Sequence, residues 1–292
     1  MNIHSFNRFP NTSLLKRFSE WERLKNEGVS IDNLKSEVGK IATGCPFTTL
    51  KAKELTVFRA RKNEDNILFK NKKDLWYPHE SFVTKTGRAN RIGESRMYLS
   101  QLPRTTLFEM QLKENDYVTI SKLKLKNNME LNLHYLNKLE TIQQSAFSEI
   151  IRNKYKGLNK NGIKNYNSVQ NFICNEFMNE KDPQKNSNIY LLSTAIAEFL
   201  LSYEKIDGLL YPSIKSQNDS NIVLKKDSAD EKLELIQSTC FIVRFPSKTL
   251  IEIKPVAHTS YVDENSGDLT WNMDQHTLTF KGEMERFGIS KF

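Results

Sequence analysis

Arg59 and Arg61 stand with one residue between them in Leu55-Thr-Val-Phe-Arg-Ala-Arg61, a stretch that otherwise favours a strand. Alternation along a strand puts both arginines on one face, with Phe58 and Ala60 on the other. Two guanidinium groups side by side can grip a phosphate bidentately, a task that suits guanidinium better than ammonium. The competing reading is an edge strand whose charges simply face water, and the pair alone leaves both open. A third arginine, Arg88, lies in Gly87-Arg-Ala-Asn-Arg-Ile-Gly93, a basic loop bracketed by glycines. Glycine at each end lets backbone come close to a ligand while Arg88 supplies charge, although most loops of this composition are basic turns and no more.

Tyr98 and Glu109 are eleven residues apart. Tyr98 sits in Arg96-Met-Tyr-Leu-Ser100, a predicted short strand, and Glu109 at the end of a predicted helix that Pro103 opens. A tyrosine in such a strand is more often a core residue with a bonded hydroxyl. Glu109, between Phe108 and Met110, lies either on the solvated helix face or is held for function, and taken alone the solvated face is favoured. Ser213 ends Asp207-Gly-Leu-Leu-Tyr-Pro-Ser213, where a serine after proline is ordinarily turn chemistry. Asn221 opens the short run Asn221-Ile-Val-Leu224.

Several other chemistries drop out. The sequence has no GxGxxG, no phosphate-binding GxxxxGKS/T, no HExxH and no GxSxG. His4, His79, His134, His258 and His276 are scattered, so neither a histidine metal site nor a Ser-His relay is expected. Cys45, Cys174 and Cys240 are odd in number, far apart and without a CxxC, which argues against a disulfide framework or a zinc site and for a reducing, cytoplasmic setting.

The elements that must position these residues follow from periodicity. Leu14, Leu15, Phe18, Trp21 and Leu24 form one stripe of a helix over 12–27, and Ser30 can cap a second helix through Val38 and Ile41. Strands are predicted at 55–61, 96–100 and 117–126, the last alternating Val118, Ile120 and Leu123 with polar residues. Residues 62–73 read as a loop. The middle third is predicted helical at about 135–155, 168–179 and 189–203, and strands return at 208–211, 221–224, 239–245 and 249–254. Residues 257–292 are polar and acidic with few periodic signals, and read as a peripheral appendix. Strands divided by a helical block favour an α+β layout over a doubly wound sheet.

The 292 residues carry a formal charge of +8, with 10% aromatic residues, enough for a sizeable core and incompatible with a disordered chain. No apolar run approaches the ~20 residues of a membrane-spanning helix, and no secretory signal is expected from a first thirty residues broken by Arg8, Lys16, Arg17, Glu20, Glu22 and Arg23. The charge is local: residues 51–100 hold twelve basic and six acidic groups, a balance of +6, whereas 251–292 stand at −3. An anionic partner that meets the 51–100 region is therefore expected.

Taken together, and in this order, Phe58-Arg59-Ala60-Arg61, Gly87-Arg-Ala-Asn…Gly93, Met97-Tyr-Leu-Ser100, Thr105-Thr-Leu-Phe-Glu109, Asp207…Ser213 and Asn221-Ile-Val-Leu224 resemble the RES domain, named for an Arg, a Glu and a Ser. The resemblance spans about residues 55–245. It implies an ADP-ribosyltransferase-like split β-sheet core with an inserted helical block, at about 135–203. The domains would then be a helical extension over 1–50, an NAD-binding catalytic domain over 51–256 and the appendix over 257–292. Family members studied as toxins of toxin–antitoxin pairs consume NAD by hydrolysis or phosphorolysis. Carried over, the resemblance gives Arg59 and Arg88, with Arg61 as the alternative to Arg59, the pyrophosphate or an incoming phosphate. It sets Tyr98 beside the nicotinamide, Glu109 on the nicotinamide ribose, Ser213 on that ribose or on Glu109, and Asn221 in support.

The partners so implied are NAD as substrate, inorganic phosphate and a helix-turn-helix antitoxin protein, with no metal and no membrane. About 100 residues separate Glu109 from Ser213, more than compact members of the family use. Two other functions stand beside this one. An ADP-ribosyltransferase acting on a protein or nucleic acid would share the same first bond cleavage. A non-catalytic nucleic-acid or partner-binding protein would use the +6 region as a phosphate footprint. Against the latter, the basic groups fall in strand and glycine-loop settings with no ladder of stacking aromatics.

Overall fold

The structure is a computed structural model that describes residues 10–136, 155–178, 190–216, 219–247 and 250–273, together with Asn7, Glu149 and Asn153. Along the chain come helices α1 (Asn11–Glu27) and α2 (Ile31–Ile41), strands β1 (Thr49–Ala52), β2 (Thr56–Lys62) and β3 (Met97–Ser100), and helix α3 (Pro103–Phe108). Strands β4 (Tyr117–Leu125) and β5 (Leu131–Tyr135) precede helices α4 (Lys160–Phe177) and α5 (Leu191–Leu201). Strands β6 (Gly208–Pro212) and β7 (Ser220–Leu224), helix α6 (Lys226–Lys232), and strands β8 (Leu233–Ser247), β9 (Leu250–Val262) and β10 (Leu269–Asn272) complete a mixed α+β fold. The residues gather into two compact units interleaved in sequence: one from 1–51, 79–95 and 131–211, the other from 52–78, 96–130 and 212–292.

The first unit is built on helices. In α1 the apolar stripe buries Leu14 and Trp21, while Leu15, expected on that stripe, is 63% exposed. Gly28, at φ +67, ends the helix in the left-handed conformation that glycine adopts at least cost. Ser30 caps α2 as its residue type predicts, its side chain accepting from the Asn33 N–H, and Leu34, Val38 and Ile41 face inward. Phe172 of α4 stacks on Phe18 at 4.9 Å and meets Trp21 edge-on at 5.3 Å. Truncating so central a side chain leaves a cavity. Trp21→Ala is therefore expected to cost about 3–5 kcal/mol, read as a lower denaturant midpoint. α5 is apolar almost throughout, and β5 and β6 pair in parallel through Leu133–Gly208 and Tyr135–Leu210. The predicted helix over 135–155 lies outside the described residues, apart from its first positions and a few isolated ones. Those first positions belong to β5 and the residue after it.

The second unit is an antiparallel sheet in the order β7-β3-β2-β4-β8-β9-β10. One face carries a core of Phe58, Leu107, Val118, Ile120, Phe241, Val243 and Ile253. Residues opposite one another across a ladder share a face, so the pairs Arg59–Ser121 and Arg61–Thr119 put both arginines on the other face, beside a row of small polar residues. That row closes on itself: Ser121 and Ser238 bond at 2.9 Å, and Thr119 donates to Asn63 at 2.9 Å. β2 pairs with β4 at seven positions but with β3 at one, Phe58–Ser100. Strand structure also continues through β9 and β10, into residues that the sequence alone presents as a polar appendix, and residues 274–292 lie outside the described part.

Candidate active site

Glu109 is the residue immediately after α3, its N–H bonded to the Thr105 carbonyl. The helix forms because Pro103 presets its first turn, and Leu107 anchors it on the core face. Glu109 thereby emerges exposed to solvent beside the ends of β3 and β7. Its Oε1 accepts two hydrogen bonds, from Ser213 Oγ and from Asn221 Nδ2, each at 2.9 Å. Asn221 is fixed in turn by Ser100, whose Oγ donates to Asn221 Oδ1 at 2.6 Å, and register pairs the same two residues across β3 and β7. Oε2 takes no hydrogen bond among the described residues. A carboxylate with one oxygen pinned and the other open can place negative charge against a bound group without being drawn into a salt bridge.

Ser213 has a defined hydroxyl direction. Its Oγ accepts from the Ser216 N–H at 3.1 Å, so its single proton is left for Glu109. The solvated-face and simple-turn readings of Glu109 and Ser213 thus each capture only half of what these residues do. Glu109 is exposed, and it is also held; Ser213 makes a turn bond, and it also donates across 104 residues of sequence.

Arg59 follows Phe58, the residue through which β2 pairs with β3. Its Nη1 donates to the Tyr98 carbonyl at 3.0 Å, in the place where the ladder would otherwise continue. Its Nε is buried with no hydrogen-bond partner, and no carboxylate pairs with it among the described residues. Burial, and then the like charge of Arg61, push its pKa down to about 10, against a smaller opposing pull from Tyr98. It remains a cation at neutral pH. No hydrogen bond joins Arg59 to the Glu109 group.

Arg61 is engaged elsewhere. Its Nη1 donates to the Asp74 carbonyl and its guanidinium lies 5.6 Å from the Phe69 ring centre. Tyr98 is half-buried on β3, two residues from Ser100. Arg88 belongs to the first unit, where Nη1 donates to the Phe177 carbonyl and the guanidinium packs over the rings of Phe177 and Tyr190. The basic 51–100 segment is itself divided between the two units. One of its arginines, Arg91, is occupied by Glu198 and Asp32. The +6 balance is therefore not one continuous free charge.

The structure adds residues that sequence reading passed over. Ser100 was legible only as the last letter of the Met97–Ser100 run. Asp219, Ser216, Thr105 and Arg104 form a further hydrogen-bonded group around the same loop. No short-range pattern signals it, since Thr105 and Asp219 are 114 residues apart.

No family profile matches the sequence, and no curated protein matches it. Among solved structures, the chain is similar to one from the crystal structure of the M. tuberculosis MbcT-MbcA toxin-antitoxin complex. The TM-score is 0.33 and the identity 11%, over 70% of this chain and 90% of that one. No helix among the described residues is long and apolar enough to cross a membrane.

Proposed function

We propose that this chain is an NAD-degrading enzyme of the RES type, which cleaves the bond between nicotinamide and ribose with water or phosphate as acceptor. The observation that carries the reading is the carboxylate of Glu109, pinned at Oε1 by Ser213, which the resemblance sets on the ribose or on Glu109, and by Asn221, which it gives a supporting place. Arg59 fits the anionic part of the substrate. Its Nε is buried without a hydrogen-bond partner and no carboxylate pairs with it among the described residues, so an anion there would meet both a charge and a spare donor.

The chemistry needs little else. As the C1″–N bond breaks, its electron pair passes to the nicotinamide ring nitrogen, which becomes neutral, while positive charge grows on the ribose. Glu109 stabilises that charge where it exists mainly in the transition state. Because the leaving group departs neutral, no strong general acid is required, so the scattered histidines are no obstacle. Water or phosphate then bonds to C1″; water loses its proton to solvent, and phosphate needs to lose none beyond its own ionisation. In the cell such an activity would inhibit growth, as a toxin or defence effector, with a helix-turn-helix antitoxin as partner.

The test is incubation of the purified protein with NAD, with and without inorganic phosphate. Nicotinamide with ADP-ribose, or with ADP-ribose 1″-phosphate when phosphate is present, is the expected outcome. Intact NAD together with salt-dependent DNA binding would instead make the chain a binding protein. ADP-ribose appearing on an added protein or nucleic acid would make it a transferase.

A further inference from the structure

Asp219 is among the most secluded acids of the second unit, with a side chain 3% exposed. It lies in the loop between β6 and β7, just ahead of Ser220 and Asn221, and collects donors from two directions. From α3, Arg104 gives Nη2 to Oδ1 at 3.0 Å and Nε to Oδ2 at 3.2 Å, and Thr105 Oγ1 donates to Oδ2 at 2.6 Å. From its own loop, Ser216 Oγ donates to Oδ2. The main chain closes the loop as well: Ser213 N–H bonds the Asp219 carbonyl at 2.8 Å and Asp219 N–H the Ser216 carbonyl at 3.4 Å. Burial works to raise the Asp219 pKa, but Arg104, Ser216 and Thr105 together outweigh it and hold the carboxyl below its ordinary value.

The two directions are the two halves of the Glu109 arrangement. Arg104 and Thr105 are the first turn of the short helix that ends at Glu109. Ser216 is the residue whose N–H turns the Ser213 hydroxyl toward Glu109 Oε1. Asp219 touches neither Glu109 nor Ser213 through its side chain, yet its carboxylate joins the elements that bear them. We infer that Asp219 is a positioning residue for NAD cleavage, locking α3 to Ser216 so that the Ser213 hydroxyl stays on Glu109. The inference rests on the function proposed above.

The test is a double-mutant cycle on purified full-length protein, with NAD turnover measured under saturating and limiting NAD. Asp219→Asn keeps the size and one acceptor but loses the charge that holds Arg104. It is expected to lower kcat by roughly 10- to 100-fold with KM for NAD changed less than about 3-fold. In a Ser213→Ala background the same change is expected to cost much less, because Asp219 acts through that hydroxyl. Thr105→Val, which removes one donor and keeps the shape, is expected to give a smaller fall of the same kind, and keeps the question decidable if Asp219→Asn does not fold. Parent kcat in Asp219→Asn, or losses that simply multiply across the cycle, would overturn the inference. Absence of turnover in the parent protein would instead overturn the proposed function. In that case the cycle is read in urea unfolding, where additive stability changes for Asp219 and Ser213 would still refute the coupling.

Discussion

Glu109→Gln is expected to cut NAD consumption by at least about 100-fold, the scale seen when one preorganised electrostatic group is lost from a transition state, while the protein stays folded. The reason lies in how the carboxylate is held. Only Oε1 is engaged, and a glutamine carbonyl can accept the same two hydrogen bonds from Ser213 and Asn221. The substitution therefore removes charge and leaves geometry. Because Glu109 is exposed, little packing is lost with it. A variant with unchanged circular dichroism, unchanged melting and no nicotinamide release would match this account. A Gln variant that consumed NAD at the parent rate would take Glu109 out of the chemistry.

Arg59→Met carries the second large effect, and its two consequences point in opposite directions. Replacing a half-buried cation that no carboxylate pairs with among the described residues by an apolar side chain of similar length removes the cost of desolvating its charge. Against this stands the loss of one hydrogen bond to the Tyr98 carbonyl, worth about 1.5–3 kcal/mol because the donor is charged. The melting temperature is accordingly expected to stay within a few degrees of the parent. Binding of NAD, in contrast, is expected to weaken by roughly 10- to 100-fold as the charge proposed to meet its phosphates is lost. Arg59→Lys should recover part of the affinity and not all, since a lysine supplies the charge without the guanidinium fork. Titration calorimetry with NAD beside a thermal melt reads both quantities. If Arg59→Met unfolded the protein while Arg59→Lys bound NAD like the parent, Arg59 would be a strut between β2 and β3.

Where large apolar residues alternate, the fold was legible from sequence. β2, β4 and α1 follow from Val57, Phe58, Val118, Ile120, Leu14 and Trp21, and the Ser30 cap from its residue type alone. The failures have physical causes. β9 runs past residue 257 with its buried positions taken by Ala257 and Thr259, too small and too polar to print a strand pattern. α6 is polar at nearly every position and buries only Ser228 and Ala229. β5, Leu-Asn-Leu-His-Tyr, runs into Leu136 and so blends with a helical periodicity downstream.

The candidate site divides in the same way. Arg59, Glu109, Ser213 and Asn221 could be named because each sits in a short recognisable run. Which arginine keeps a buried nitrogen without a hydrogen-bond partner could not be named, because Asp74 and Phe69 hold Arg61 while Arg59 has only the Tyr98 carbonyl among the described residues. The role of Asp219 was hidden for a related reason. Its partners lie 114 and 115 residues away, and only the folded chain brings them to one carboxylate.

The most direct measurement is the time course of free nicotinamide and remaining NAD, followed by chromatography, for the parent protein and Glu109→Gln side by side at equal folded concentration. The account predicts that nicotinamide appears in step with NAD loss in the parent and that both traces stay flat in the variant. NAD left untouched by the parent, or equal rates from the two proteins, would contradict it.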